Sequence, residues 1–512
     1  MATFKAFKDQ IYKELKKQHN SSNLFVDKEF PTTIKSLAKV EDLNLETVVW
    51  KRPKDIIPNP QFVVGTYEKE DLNQGGVGNC WFIAGCGALT LNKRCREQVI
   101  PENQSFDESD YAGIFHFRFW LYGEWYDVVI DDQLLCNQDN ELIYCYNKKD
   151  KNEMWAPLLE KAYAKLHGSY QTLDGGDINE ALINMTGGLD ETFNLSKLDA
   201  KKDKQPNYKE TIKRIMYQAF AKNSMLGCSI DPSPSKSKED SSEPEEELPS
   251  GLFAGHAYIV IDTQDITTND DKKVSLVKIR NPWGSGTEWN GDWSDKSPVW
   301  DDVSKEVKKK LTYEEVQDGE FWMSWDDFFS NFHELEICHC GPSSFEAIAR
   351  QLDSSKPVDQ SEVKDQASVN NDIQNTQLKL SKKELKQVAA SEYGNRSVIT
   401  KRFRLPIGTY VIIPSTADDD RTAEFLLRVF TEKKLDQTAH LKNNKSNLTK
   451  DERVLQDKKP RKVDYDKIGA DDDTSDIIIE IIETPDEIDQ ATDAEDPDAQ
   501  SDSNADANNE ST

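Results

Sequence analysis

Cys80 sits in Gln74-Gly75-Gly76-Val77-Gly78-Asn79-Cys80-Trp81-Phe82-Ile83-Ala84-Gly85-Cys86-Gly87-Ala88-Leu89, where a glycine-rich loop meets a run of apolar and small residues. The glycines let the chain turn sharply and approach a ligand closely, and the run from Trp81 onward predicts a buried helix. Cys80 then falls at the helix N-terminus, where unpaired N–H groups and the helix dipole favour a thiolate over a thiol. A lone cysteine on a core helix is more often packing than chemistry, so its meaning depends on partners. A thiol nucleophile needs a base, a group that orients the base, and donors for the oxyanion. Two later stretches offer the first two. His256 lies in Gly255-His256-Ala257-Tyr258-Ile259-Val260-Ile261, at the mouth of a strand-like run. Asn281 opens Asn281-Pro282-Trp283-Gly284, just after the β-type run Val274–Ile279.

Cysteine, histidine and asparagine, in that order and far apart in sequence, match the order of papain-like thiol proteases. The segments Gln-Gly-x-x-Gly-x-Cys-Trp, Gly-His-Ala-Tyr, Arg-Asn-Pro-Trp-Gly, Trp-Asn-Gly-Asp-Trp-Ser-Asp and Asp-Gly-Glu-Phe-Trp-Met-Ser-Trp resemble the calpain protease core over residues 25–345. The resemblance implies an α+β, papain-like core of two subdomains, a helical Cys half and a β-rich His/Asn half, with the substrate cleft between them. It implies that Cys80 pairs with a His256 imidazolium and that Asn281 holds the ring through its side-chain carbonyl. Trp283 would shield that bond from water, and Gln74 would donate to the oxyanion beside the Cys80 N–H. Gly176 and Gly255 would lie along bound substrate.

Two calcium sites are implied as well, one from Val64, Thr66, Asp71 and Glu153, the other from Glu288, Asp295, Val316, Asp318 and Glu320. Scattered carboxylates and carbonyls in such numbers suit calcium better than magnesium. Two positions depart from the family pattern: Thr66 stands in place of a glycine, and Asn79 in place of the aspartate before the cysteine. The implied activity is a calcium-activated cytosolic cysteine endopeptidase making limited cuts in protein substrates, with calcium rotating the halves together. The alternative is a catalytically impaired regulatory or scaffold protein that keeps the fold.

At 512 residues the chain is too long for one core. A net charge of −29 argues against nucleic acid as a partner and leaves membrane contact at most peripheral. No Lys or Arg follows Lys467, so much of the negative excess belongs to the end of the chain. The eight cysteines show no framework spacing, and Met1–Lys8 lacks a signal-peptide apolar core. Reduced thiols in the cytoplasm are expected. Cys338-His339-Cys340 lacks a second ligand pair and reads as structural.

In chain order, residues 1–24 predict an amphipathic helix with Phe4, Phe7, Ile11 and Leu15 on one stripe. Residues 25–188 form the Cys subdomain, with a hairpin over Ile114–Asp131, a helix over Glu153–Leu166 and a hinge at Thr186-Gly187-Gly188. The His/Asn subdomain, 189–345, carries a helix near Tyr208–Asn223 and a Pro/Ser/Glu-rich loop, Asp231–Ser250, expected to border the cleft without ordering itself. A disordered linker, 346–396, holds one helical stretch near Lys382–Ala390. Strand-like runs at Val398–Leu405, Thr409–Ile413 and Phe425–Thr431 make 397–435 a partial β-sandwich resembling part of the domain that follows the calpain core. Residues 436–512 read as an acidic disordered tail in which no calcium-binding EF-hand loop is recognised. Within it, Ile477–Ile482 has very high β propensity. It could cap an edge of the chain's own sandwich, add to the sheet of a partner, as in a SUMO-interacting motif, which it resembles, or have no defined role beyond a solvating acidic extension.

Overall fold

The computed structural model describes residues 4–340 apart from 39–42, 44, 46, 103, 122, 196–207, 222, 233–244, 285–286, 314 and 317. It also describes the backbone of three later strands, Lys386–Ala390, Tyr410–Thr416 and Ile477–Glu483. Two compact units result, one holding everything up to 340 and the other the three later strands.

The first unit begins with a short strand, Lys5–Ala6, running parallel to Glu124–Asp131, which pairs in turn with Ile114–Leu121. That hairpin turns at Gly123, whose φ of +89° needs a glycine. The predicted N-terminal helix is replaced by this strand, a 3-10 turn at Phe7–Asp9, and a helix over Tyr12–Gln18 only. The stripe fails because Phe7 is fully buried while Ile11 is 47 % exposed, so the four apolar residues do not share one face. A helix at Trp155–His167 follows, with Pro157 in its first turn, where a missing N–H costs nothing. It is buried along its length, charged residues included.

The helix that carries the nucleophile, Cys80–Leu91, is buried at every position from Cys80 to Thr90, as an all-apolar run must be. Gly87 sets how closely it approaches the second half: a Cβ there would lie 2.2 Å from Ile259 Cδ1. The helix Ile178–Thr186 ends on Gly187 in the left-handed region, whose N–H bonds to Ile183 O at 2.7 Å. The expected hinge is thus a packed helix stop. A Cβ on the neighbouring Gly188 would lie 2.5 Å from Cys338 Sγ.

The second half is a six-stranded antiparallel sheet. Its order is Glu320–Ser324, Lys273–Arg280, His256–Thr267, Met225–Ile230, Glu334–His339, Leu189–Asn194. Period-2 alternation buries both faces. Val277, Ile279, Phe321 and Met323 join one cluster, under the helix Tyr208–Ala221, while Leu276 and Trp322 join another around Trp293 and Trp300. Ile259 faces Arg280 across the central pair, so the start of the His256 strand and the end of its neighbour meet at one sheet edge. That register brings His256 and Asn281 together.

In the second unit, Ile477–Glu483 lies between Lys386–Ala390 and Tyr410–Thr416, antiparallel to both. Residues expected as helix near Lys382–Ala390 are therefore strand from Lys386, and an isoleucine run expected inside a disordered tail is the central strand. Cross-strand pairing overrides the local preference of Lys-Gln-Val-Ala-Ala. The runs Val398–Leu405 and Phe425–Thr431 lie outside the described residues.

Candidate active site

Cys80 is the first residue of its helix and 8 % exposed. His256 opens its strand, and its ring is buried. Asn281 leaves its strand through a tight turn, with its N–H on Gly319 O at 2.8 Å and its carbonyl accepting from Gly284 at 3.0 Å. The Asn281 Oδ1 accepts the Trp283 backbone N–H at 3.0 Å and meets His256 Nε2 at 2.9 Å. A backbone N–H can only donate, so the carboxamide oxygen faces this side and His256 Nε2 carries a proton. The Trp283 ring lies 4.4 Å from the imidazole, centroid to centroid, and covers that bond.

The other ring nitrogen, Nδ1, looks toward the first half. Sγ of Cys80, a His256 nitrogen and a carboxylate oxygen of Glu245 lie within 4.8 Å of one another. Glu245 Oε1 is 2.8 Å from Nδ1. Burial disfavours charge on the ring, but hydrogen bonding and charge from Cys80 and Glu245 overcome it and push the His256 pKa up to about 10. The centre is arranged as a His256 ring that favours its charged form, between the Cys80 sulfur and the Glu245 carboxylate and held from behind by the Asn281 amide.

Glu245 is the contact that sequence reasoning missed. It comes from the loop expected to border the cleft, and it is anchored, because Glu246 and Glu247 pair with Ala254 and Phe253 in a small hairpin. The turn closes through Gly251 at φ +80°. Residues 233–244 of that loop lie outside the described residues. In sequence Glu245 is one of four glutamates between Glu243 and Glu247, and only the hairpin distinguishes it.

Gln74 bridges the halves. Trp283 Nε1 donates to its Oε1 at 3.0 Å, and its Nε2 donates to Val77 O at 3.0 Å, leaving a second amide hydrogen for an oxyanion. Asn79, where the family pattern has aspartate, donates through Nδ2 to the buried Glu160 at 2.7 Å. Gly176 packs on Trp81, since a Cβ there would lie 2.4 Å from the indole. Gly255 takes φ +71° and bonds to Ile230 O, which aims the chain into His256.

Neither acidic group is part of the Cys80–Glu245–His256 cluster. Asp71 and Glu153 converge on Asn147, whose Nδ2 reaches Asp71 Oδ1 at 3.2 Å and Glu153 Oε2 at 2.7 Å. Burial and the Asp71 charge push Glu153 up to about 8. Val64, on the same loop, donates its N–H to Glu153 Oε1 at 2.5 Å. The glycine-like φ of this loop falls on Gly65, at +74°, and not on Thr66, so the threonine carries no strain. In the second group, burial and the charges of Glu288 and Asp318 push Asp295 up to about 7, and its Oδ2 is buried with no hydrogen-bond partner. Glu288 and Asp318 are raised as well, burial being the main cause. Val316 O, by contrast, accepts the Asp318 N–H at 3.0 Å. Carboxylates that raise one another's pKa, with no cation in contact among the described residues, fit a hard divalent cation such as calcium. Glu320 stands apart: Lys69 at 2.7 Å and Lys278 at 2.8 Å already neutralise it and hold its pKa low against burial. Its pair with Lys69, and the bond from Arg280 Nη2 to Lys69 O at 3.3 Å, tie the first acidic loop to the second.

A profile of the calpain family cysteine proteases matches residues 25–339, and one of calpain large subunit domain III matches 362–430. Calpain-9 of Homo sapiens is 36% identical over 471 residues, which are 80% of this chain and 65% of that protein. Calpain clp-4 of Caenorhabditis elegans is 41% identical over 336 residues, 66% of this chain and 44% of that protein. Calpain-A of Drosophila melanogaster is 43% identical over 329 residues, 63% of this chain and 37% of that protein. The chain thus spans less than two thirds of the length of each of these relatives.

Proposed function

The chain belongs to the calpain family of cysteine proteases, and on that premise we propose that it is a calcium-activated cysteine endopeptidase making limited cuts in protein substrates. The carrying observation is the convergence of Cys80, His256 and Asn281, from two halves of the core, on one buried centre. In this reading the Cys80 thiolate attacks the scissile carbonyl, forming the S–C bond. The Cys80 N–H and Gln74 Nε2 receive the oxyanion; one such donor is worth about 10²–10³ in rate. The proton on His256 Nδ1 passes to the leaving amine as the C–N bond breaks. Water then hydrolyses the thioester, giving its proton back to Nδ1. Asn281 keeps the ring in the tautomer and orientation that both transfers need.

Calcium, when bound, would supply the positive charge that the crowded carboxylates lack. Asp71 and Glu153, with carbonyls of Val64 and Thr66, would hold one ion, and Glu288, Asp295 and Asp318, with Val316 O, the other. Each group sits on a loop leading to the centre: Asp71 is three residues before Gln74, and Asp318 adjoins the Gly319 carbonyl that anchors Asn281. A cytoplasmic location is supported by all eight cysteines being free thiols. Among the described residues no helix is long and apolar enough to cross a membrane. Protein substrates are the expected partners. A peptide-type partner for Ile477–Ile482 would have to displace strands that flank it on both sides.

The test is cleavage of casein by the pure protein across a calcium titration, beside Cys80→Ala. Activity that rises with calcium and vanishes in the variant is expected. Equal activity in excess chelator would remove the calcium mechanism, and cleavage by Cys80→Ala would remove the nucleophile.

A further inference from the structure

The trio of Cys80, His256 and Glu245 has the composition of a metal site, and no other group of three histidine, cysteine or carboxylate side chains among the described residues converges in this way. We propose that these three side chains form a binding site for a zinc-class divalent cation, distinct from the calcium positions, and that its occupation holds the thiol centre off.

Four observations carry this. First, the ligand atoms are a thiol sulfur, an imidazole nitrogen and a carboxylate oxygen, all within 4.8 Å of one another. Zinc binds such atoms at about 2.0–2.3 Å, so modest contraction of the present spacing brings all three onto one ion. Second, His256 Nε2 is committed to Asn281 Oδ1 at 2.9 Å. That contact is of the kind that orients a ligating histidine and leaves the opposite nitrogen for the metal. Third, the Glu245 carboxylate already stands 2.8 Å from Nδ1, so an anionic ligand is in place, and the metal would replace the proton on Nδ1 and release it to solvent. Fourth, the site is reachable. The Glu245 side chain is 21 % exposed, whereas that of His256 is fully buried, so an ion would enter from the Glu245 side. A water would take the remaining position, as in other three-ligand zinc sites.

The donor set also decides which metal binds where. Sulfur and imidazole select zinc-class ions over calcium, while the all-oxygen groups around Asp71 and Asp295 do the reverse. The two ions therefore act on the same protein without competing for one site. With zinc in place, the sulfur electron pair needed for attack is bound to metal, and Nδ1 has no proton to give the leaving amine. The consequence for activity rests on the proposed proteolytic role; the binding does not.

The test uses the full chain and cobalt(II) as a spectroscopic substitute for zinc. A thiolate-to-cobalt charge-transfer band is expected in the wild type, bleached by added zinc, absent in Cys80→Ala, and requiring at least tenfold more cobalt in Glu245→Gln. In calcium, zinc is expected to inhibit casein cleavage, with a midpoint raised at least tenfold in Glu245→Gln when each protein is scaled to its own zinc-free rate. Thermal unfolding of both variants confirms that they are folded. Absence of the band in folded wild type would overturn the site. So would equal zinc and cobalt responses in wild type and Glu245→Gln, which would reduce it to a bare thiol–imidazole contact. A band from a chain that cleaves nothing would uphold the site while defeating the proteolytic reading.

Discussion

The buried carboxylates paired with lysines of the Trp155–His167 helix and the buried or half-buried carboxylates of the two acidic groups meet opposite fates. Asp131 lies 2.5 Å from Lys161, and Asp27 lies 2.7 Å from Lys165, with all four side chains fully buried. Burial opposes ionisation of Asp131, but Lys161 more than compensates and its pKa falls. For Asp71 with Glu153, and for Glu288 with Asp295 and Asp318, burial and mutual charge outweigh the neutral donors of the first group and the more distant Lys278, Arg280 and Lys296 of the second, and their pKa values rise. One set carries its own counter-charge and is architecture. The other is left under-compensated, and a cation from solution is the natural way to complete it.

Removing one partner from the self-compensated set should cost most. Asp131→Asn leaves the Lys161 ammonium buried without an anion, and a loss of about 3–5 kcal/mol in denaturant unfolding is expected. A change below 1 kcal/mol would mean that the pair is solvated and the contrast misplaced.

Glu160 is intermediate, a buried acid with donors but no cation. Burial pushes its pKa from 4.5 up to about 7 against the bonds from Asn79 and Cys145. Because the folded state holds this proton more tightly than the unfolded chain, the associated stability is full below about pH 4.5 and is lost as pH rises through 7. Glu160→Gln should remove about 2–3 kcal/mol of the stability difference between pH 5 and pH 8. An unchanged pH profile would show that Glu160 is ionised in the fold.

For the uncompensated set the effect should move from stability to calcium. Asp318→Ala should raise the calcium needed for half-activity by about tenfold, roughly 1.4 kcal/mol of binding, with the far-UV circular dichroism unchanged. An unaltered calcium midpoint would take Asp318 out of the ligand set. Smallest of all, Asp295→Asn in excess chelator should change unfolding free energy by no more than about 0.5 kcal/mol, or stabilise slightly, since an unpartnered buried oxygen is relieved of charge. A loss as large as that of Asp131→Asn would erase the distinction.

The residues proposed to do chemistry were legible because their local context is distinctive: a glycine loop before Cys80, a strand mouth at His256, an Asn-Pro turn at Asn281. Pattern also gave the hairpin at Gly123 and the helix with Pro157 in its first turn. What escaped depends on long-range pairing. Residues 4–18 space their apolar side chains like a helix, yet Lys5 and Ala6 are captured by the edge of a strand more than a hundred residues away. Lys386–Ala390 pairs with Ile482 and its neighbours, which no local signal announces. Glu320 reads as one more acid in a ligand series until Lys69, 251 positions earlier, is found against it. Glu245 was hidden for the opposite reason, among too many similar neighbours.

The most direct test of an assembled thiol centre is site-resolved alkylation of the full chain with iodoacetamide in calcium, followed by mass spectrometry. All eight cysteines are free, and Cys340 is the only one that is not buried. If accessibility governs, Cys340 reacts first. With an assembled centre, Cys80 is instead modified at least tenfold faster than any other cysteine, and His256→Ala abolishes this preference. Cys340 leading, or an even spread unaffected by His256→Ala, would contradict it.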